Sequence, residues 1–140
     1  MSVRRRYVDT RAGQVHVRVA GEGPAVVLLH WTPASGRMYE PVLTALAARG
    51  RRAMAPDLMG YGRSDPRPGD WTIADFAANV DEALGALDVT DAAVVGGHLS
   101  ACVAVELALR RPVAALVLDG CPLWSAEMRA GRCIVLPSLD

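Results

Sequence analysis

The chain has no excess of charge of either sign: Lys plus Arg count 15 and Asp plus Glu count 15. That balance removes the electrostatic case for a nucleic-acid partner and points to small, near-neutral ligands. Cysteine is scarce. Cys102, Cys121 and Cys133 form no CxxC pair and leave one thiol over, which argues against a disulfide framework and against a zinc site. Reduced thiols in a cytoplasm are the simplest account. No apolar run approaches the length of a membrane span. The basic start, Arg4-Arg5-Arg6, runs into Tyr7-Val8-Asp9-Thr10 with none of the apolar stretch of a signal peptide behind it. The expectation is a soluble, cytoplasmic protein whose three leading arginines are solvated. There is no internal repeat and no low-complexity stretch.

What is present suffices for one core. With 140 residues, 51% of them apolar, a single domain over residues 1–140 is the natural prior. Tyr7 to Ala20 alternate around Arg11-Ala12-Gly13, with Val15, Val17 and Val19 on one side and Gln14, His16 and Arg18 on the other. This predicts a β-hairpin with one wet face. Ala25 to Leu29 is a continuous apolar run suited to a strand buried on both faces. Similar runs follow at Ala53-Met54-Ala55, Ala92 to Val95 and Ala114 to Leu118, separated by helical segments. The fold class predicted is therefore α/β, a mostly parallel sheet with flanking helices and an N-terminal hairpin.

The first helix is expected over Arg37 to Arg49 with Met38, Val42 and Leu46 inward. The second opens at Thr72 as N-cap with Asp75 three residues on, and buries Ile73, Phe76, Ala77, Val80, Leu84 and Leu87. The third runs from Leu99 to Arg110, with Val103 and Leu107 inward, and stops at Arg111-Pro112. A short helix is expected around Ser125 to Arg129. Met59 to Gly69, rich in Pro and Gly, reads as a surface loop.

Ligands of parallel α/β sheets gather beyond the carboxyl ends of the strands. The segments found there are His30-Trp31-Thr32-Pro33, then Pro56 to Asp65, then Gly96-Gly97-His98-Leu99-Ser100-Ala101, then Asp119-Gly120-Cys121-Pro122. An H-x-x-P strand end, a P-D-x-x-G-x-G-x-S-D loop and a V-V-G-x-nucleophile-x-small-small turn, in that order, resemble the α/β-hydrolase family over about residues 7 to 124. The Pro56 to Asp65 loop is the most diagnostic piece.

The resemblance implies a nucleophile on the sharp strand-to-helix turn, usually within G-x-S-x-G. Aligned on Gly96, that position falls on His98 and the last glycine falls on Ser100. Two assignments follow. His98 occupies the elbow as a base or ligand-binding group, with Asp119 at the neighbouring strand end hydrogen-bonded to it and fixing its tautomer. Alternatively Ser100, half a turn into the third helix, is the nucleophile. Each residue also has a plain reading, His98 as a helix-start histidine and Asp119 as a turn former. The amides of Leu99 and Thr32 fall at the oxyanion-hole positions. His30 and Trp31 stand at the substrate side, His30 also as a brace for its loop and Trp31 where the family often has glycine. Tyr39, Tyr61 and Trp124 line either the pocket or the core.

The family's catalytic histidine follows the last strand of the sheet, whereas the only histidines here are His16, His30 and His98. A hydrolase of a small ester-, epoxide-, halide- or C–C-bonded substrate is expected by ancestry. The late strands, the lid and that histidine have no residues left to form them, so this 140-residue chain is expected to be truncated and inactive. The second reading is a non-catalytic small-ligand binding or interaction protein on the same fold. Neither implies a cofactor or metal, and an uncovered sheet edge gives scope for self-association. A dinucleotide-binding unit, with Gly96-Gly97 before a helix and Asp119 after the next strand, is a third reading. Its glycines depart from G-x-G-x-x-G, and it leaves the Pro56 to Asp65 loop unexplained.

Overall fold

A computed structural model of the chain describes residues 2–122, so the helix expected around Ser125 to Arg129, and Trp124, lie outside the described residues. Six strands form one sheet: β1 (Arg4–Thr10), β2 (Gly13–Ala20), β3 (Ala25–Leu29), β4 (Arg52–Pro56), β5 (Ala92–Gly97) and β6 (Ala115–Asp119). Their spatial order is β1-β2-β4-β3-β5-β6. The hairpin β1–β2 and the β2–β4 pair are antiparallel, and β4, β3, β5 and β6 run parallel. This is the mostly parallel α/β sheet that the alternation of apolar runs and helices predicts.

Alternation along each strand sends side chains to two cores. Val27, Leu29, Met54 and Val94 pack with helices α2 (Ile73–Ala86) and α3 (Leu99–Arg110) on one face. Leu28, Ala53 and Ala55 pack with helix α1 (Glu40–Ala47) on the other. Helix α2 starts as its sequence says it must. The Thr72 side chain takes the Asp75 N–H while the Asp75 carboxylate takes the Thr72 N–H, so two orphan donors are satisfied reciprocally.

Two expectations are corrected. Segment 36–49 is not one helix: a 3-10 turn over Gly36–Tyr39 precedes α1, which has Pro41 in its first turn. The phase therefore shifts, and Leu43 and Ala47 face the core while Met38 and Val42 are exposed. The face of β2 expected to be wet is so only at Gln14, because His16 and Arg18 are buried like Val15 and Val17. They are covered by charged partners that the chain supplies from elsewhere.

The last described strand differs from the others. β6 has no outer neighbour among the described residues, and Leu116, Val117 and Leu118 are 37%, 51% and 41% exposed. No helix among them is long and apolar enough to cross a membrane.

Candidate active site

The site sits where β3, β4, β5 and β6 end. The β5–α3 turn is the sharpest piece of backbone in it: His98 adopts φ 52°, ψ −125°, a left-handed conformation that costs a side-chain-bearing residue about 1–3 kcal/mol. Close packing beneath it explains why Gly96 has no side chain. A Cβ there lies 2.4 Å from the Ser100 carbonyl oxygen and 2.8 Å from the Ala101 Cα. A Cβ on Gly97 lies 1.9 Å from the Trp31 Nε1, so the indole occupies the space over this glycine. Glycine at 97 and tryptophan at 31 thus fit as one pair, with the bulk on the β3 loop. That filled space also denies Gly97 the open backbone approach that a dinucleotide pyrophosphate needs.

His98 is exposed and its ring meets the Trp31 ring edge-on, centroids 4.3 Å apart. Register places Asp119 opposite Gly97, next to the elbow, as the strand order implied. The hydrogen bond between the two residues is a backbone one, His98 N–H donating to the Asp119 carbonyl at 2.8 Å. The side-chain bond expected to fix the imidazole tautomer is therefore replaced by a main-chain tie that sets the elbow against β6. Asp119 nevertheless bears on the site. Burial first, and then its negative charge, push the Tyr39 hydroxyl above its ordinary value of 10.0. Tyr39 donates to the Leu29 carbonyl at the end of β3 at 3.3 Å. Of the aromatics left open by the sequence, Tyr39 thus belongs near the site and Tyr61 to the core.

Ser100 is not presented to a ligand. It is fully buried, and its hydroxyl donates to the His30 carbonyl at 2.5 Å, which fastens the first turn of α3 to the end of β3. His30 is corrected in the same way. Its Nε2 accepts the Leu58 N–H at 2.9 Å, so Nδ1 carries the proton and donates to the Trp31 carbonyl at 2.8 Å. Both nitrogens are used and the ring is fully buried, so His30 braces two loops and touches no substrate. Burial also holds it below its ordinary 6.5 and hence neutral. Leu99 is the first residue of α3, where an amide has no intrahelical acceptor, and Thr32 lies on the β3 loop beside Trp31.

The P-D-x-x-G-x-G-x-S-D loop is scaffolding. Asp57, fully buried at the end of β4, accepts the Gly36 N–H at 2.7 Å, the Arg63 N–H at 2.9 Å, His16 Nδ1–H at 2.9 Å and Arg18 Nη1–H at 3.1 Å. Burial alone pushes its carboxyl up, but these donors together hold it below the ordinary 3.8. Gly62 is required because a Cβ there lies 2.3 Å from Asp57 Oδ2. Ser64 donates to the Asp57 carbonyl and receives the His16 N–H, and Asp65 receives the Gln14 N–H. Each named letter of the motif past its proline and first glycine thus has a fixed partner.

His16 was missed as a buried group. Burial first, against the pull of Asp57, lowers its pKa below 6.5. The neutral ring protonated at Nδ1 is consistent with Nε2 having no hydrogen-bond partner among the described residues, since a buried unpaired N–H is worse than a buried unpaired lone pair. The 3.3 Å approach of Arg18 Nη1 to Nδ1 is then a contact, not a hydrogen bond.

Fold and site together define a protein built around a strand–elbow–helix turn at the carboxyl edge of a parallel sheet. The chain belongs to the alpha/beta hydrolase fold family, whose sequence profile matches residues 24–137. It is 35% identical over 97 residues to a haloalkane dehalogenase of Mesorhizobium japonicum, covering 69% of this chain and 31% of that protein. It is 34% identical over 108 residues to an epoxide hydrolase of Caballeronia sordidicola, covering 75% of this chain and 32% of the other. Among solved structures, an N-acyl homoserine lactonase, AidH, superimposes with a TM-score of 0.81 at 27% identity, covering 86% of this chain and 46% of that one. The chain therefore spans about a third of the length of these curated relatives.

Proposed function

We propose that the chain carries the elbow portion of a small-molecule hydrolase site in which His98 stands at the nucleophile position and acts as a base or ligand-binding group. The substrate class is an ester, epoxide, halide or C–C-bonded compound. The relatives named as a lactonase, an epoxide hydrolase and a haloalkane dehalogenase support the first three. The observation that carries the reading is the strained His98 backbone, which holds an exposed imidazole against Trp31 at the end of β5.

An imidazole there is placed to hydrogen-bond a polar atom of the bound compound or to accept a proton from it, and the Leu99 and Thr32 amides are the further donors available to a ligand oxygen. Asp119 is the acid at the adjacent strand end. It orients His98 by a side-chain bond only if the carboxylate turns toward the ring in the loaded site. By itself the elbow supplies a base but no side-chain nucleophile, because Ser100 is spent on His30. The 140-residue chain should therefore bind such compounds without turning them over, and this same engagement of Ser100 favours the non-catalytic binding reading as the second choice.

The test pairs a turnover assay with a binding titration. A panel of a p-nitrophenyl ester, an epoxide and a haloalkane is assayed for product, and their binding is followed by quenching of Trp31, with Trp31→Phe as the control for the other tryptophans. Expected is saturable quenching without product, weakened about tenfold or more in His98→Ala, the loss typical of one good polar contact. Absence of quenching by the whole panel sinks the site, and product formation abolished by His98→Ala overturns the inactivity.

A further inference from the structure

Away from the elbow lies a cavity of about 360 Å³ that shares no lining residue with it. Arg5, Arg18, Arg37 and Arg63 converge on it, with Glu40 and Asp57 as the acids and Ser35 and Gly62 between them. Both acids are already engaged: Asp57 by His16, Arg18 and two amides, and Glu40 by Arg18 Nε at 3.1 Å. Arg5, Arg37 and Arg63 have no carboxylate partner among the described residues. Arg18, 4% exposed, spends Nε and Nη1 on those acids, while its Nη2 has no hydrogen-bond partner among the described residues.

From this geometry we infer a binding site for a small dianionic oxyanion, the phosphoryl group of a phosphate or a phosphate monoester. Four guanidinium groups against two carboxylates leave two positive charges in the lining, which a dianion neutralises. Guanidinium forks match phosphate oxygens in pairs. The volume falls in the small-molecule range of about 300–1,000 Å³. Backbone construction fixes the lining, since Asp57 ties the Gly36 and Arg63 amides that carry Arg37 and Arg63 to the rim. Arg18 at the floor is held by its two acids, so one cation is pre-positioned and costs no side-chain ordering on binding.

A charge-matched control is built into the fold. Arg4 and Arg6 alternate with Arg5 along β1 and line a larger cavity, of about 530 Å³, with Arg52 and Glu22. That cavity has no buried guanidinium at its floor: Arg52 is only partly buried and its Nη2 is given to the Leu87 carbonyl. Simple attraction of anions to arginine predicts that both cavities bind alike.

The experiment is a calorimetric titration of the whole chain with inorganic phosphate and with phenyl phosphate, at constant ionic strength set by chloride. Both ligands are expected to bind saturably at one site. Arg37→Gln/Arg63→Gln, which alters only exposed side chains, is expected to weaken binding about tenfold or more, while Arg4→Gln/Arg6→Gln leaves it within about twofold. Circular dichroism establishes that both double variants are folded, and Arg5→Gln reports on the same cavity if the first double variant is not. Equal weakening in both double variants, or heat no different from an added equivalent of chloride, overturns the site.

Discussion

Two loops leave the carboxyl edge of the sheet one strand apart, and they are built on opposite principles. The loop after β4 is tied at every turn: Asp57 has four donors, and Ser64 and Asp65 are clamped to β2. The turn after β5 is bent into a conformation disfavoured for histidine, and its imidazole is exposed. The loop with the most recognisable sequence therefore does structural work, and the one that departs from the family pattern presents an exposed imidazole. Recognisability and chemistry are separate properties of this site.

The comparison breaks most visibly at Asp57. Asp57→Ala removes the carboxylate from a buried guanidinium and leaves the Gly36 and Arg63 amides without their acceptor. Removing one partner of such a pair costs about 3–5 kcal/mol, a large part of the roughly 5–15 kcal/mol that holds a domain together. Urea unfolding is the measurement. A loss below about 1 kcal/mol would mean that the loop is held by its backbone turns alone. Asp57→Asn keeps an acceptor for the amides and should lose less.

The parallel sheet and the α2 capping box were legible in the sequence because their determinants are local: apolar runs between turn signals, and Thr72 with Asp75. The His16–Arg18–Asp57 cluster was not. Alternation reads a polar residue as a wet one, and the residues that bury His16 and Arg18 arrive from Glu40 and Asp57, far along the chain. The inward face of α1 was misread because the 3-10 turn over Gly36–Tyr39 breaks the 3.6-residue period before the helix starts. At the elbow, spacing put His98 on the turn and strand order put Asp119 beside it. Nothing in the sequence says that their bond is made by the backbone, or that Ser100 is given to the His30 carbonyl.

Acid sharpens the comparison, since the braced side carries two buried neutral histidines. His16 and His30 both have folded-state pKa values lowered by burial from 6.5. Below 6.5 the unfolded chain takes up protons that the folded one refuses, so stability falls as pH falls through that window, by at most about 1.4 kcal/mol per pH unit for each proton. Asp57 acts in the same direction at lower pH, its contribution being lost below 3.8. Thermal unfolding between about pH 7.5 and pH 5.5 reads the histidine part. A flat melting temperature over that range would show that one of the rings is charged in the folded state.

The smallest effect belongs to the elbow, and its sign is opposite. If the His98 backbone is held in strain, His98→Gly relieves about 1–3 kcal/mol and gives back about 0.5–1 kcal/mol through the freer unfolded chain. The net is a stabilisation of about 1 kcal/mol, a rise of about 3–6 °C in melting temperature. No contact explains such a gain, because the variant only removes atoms: the ring against Trp31 is lost and the His98 N–H to the Asp119 carbonyl remains. A stabilised His98→Gly that has also lost Trp31 quenching by ligand identifies the histidine as a residue kept for binding at a cost in stability. A destabilised one means that the Trp31–His98 contact outweighs the strain, and the elbow is then braced as firmly as the loop beside it.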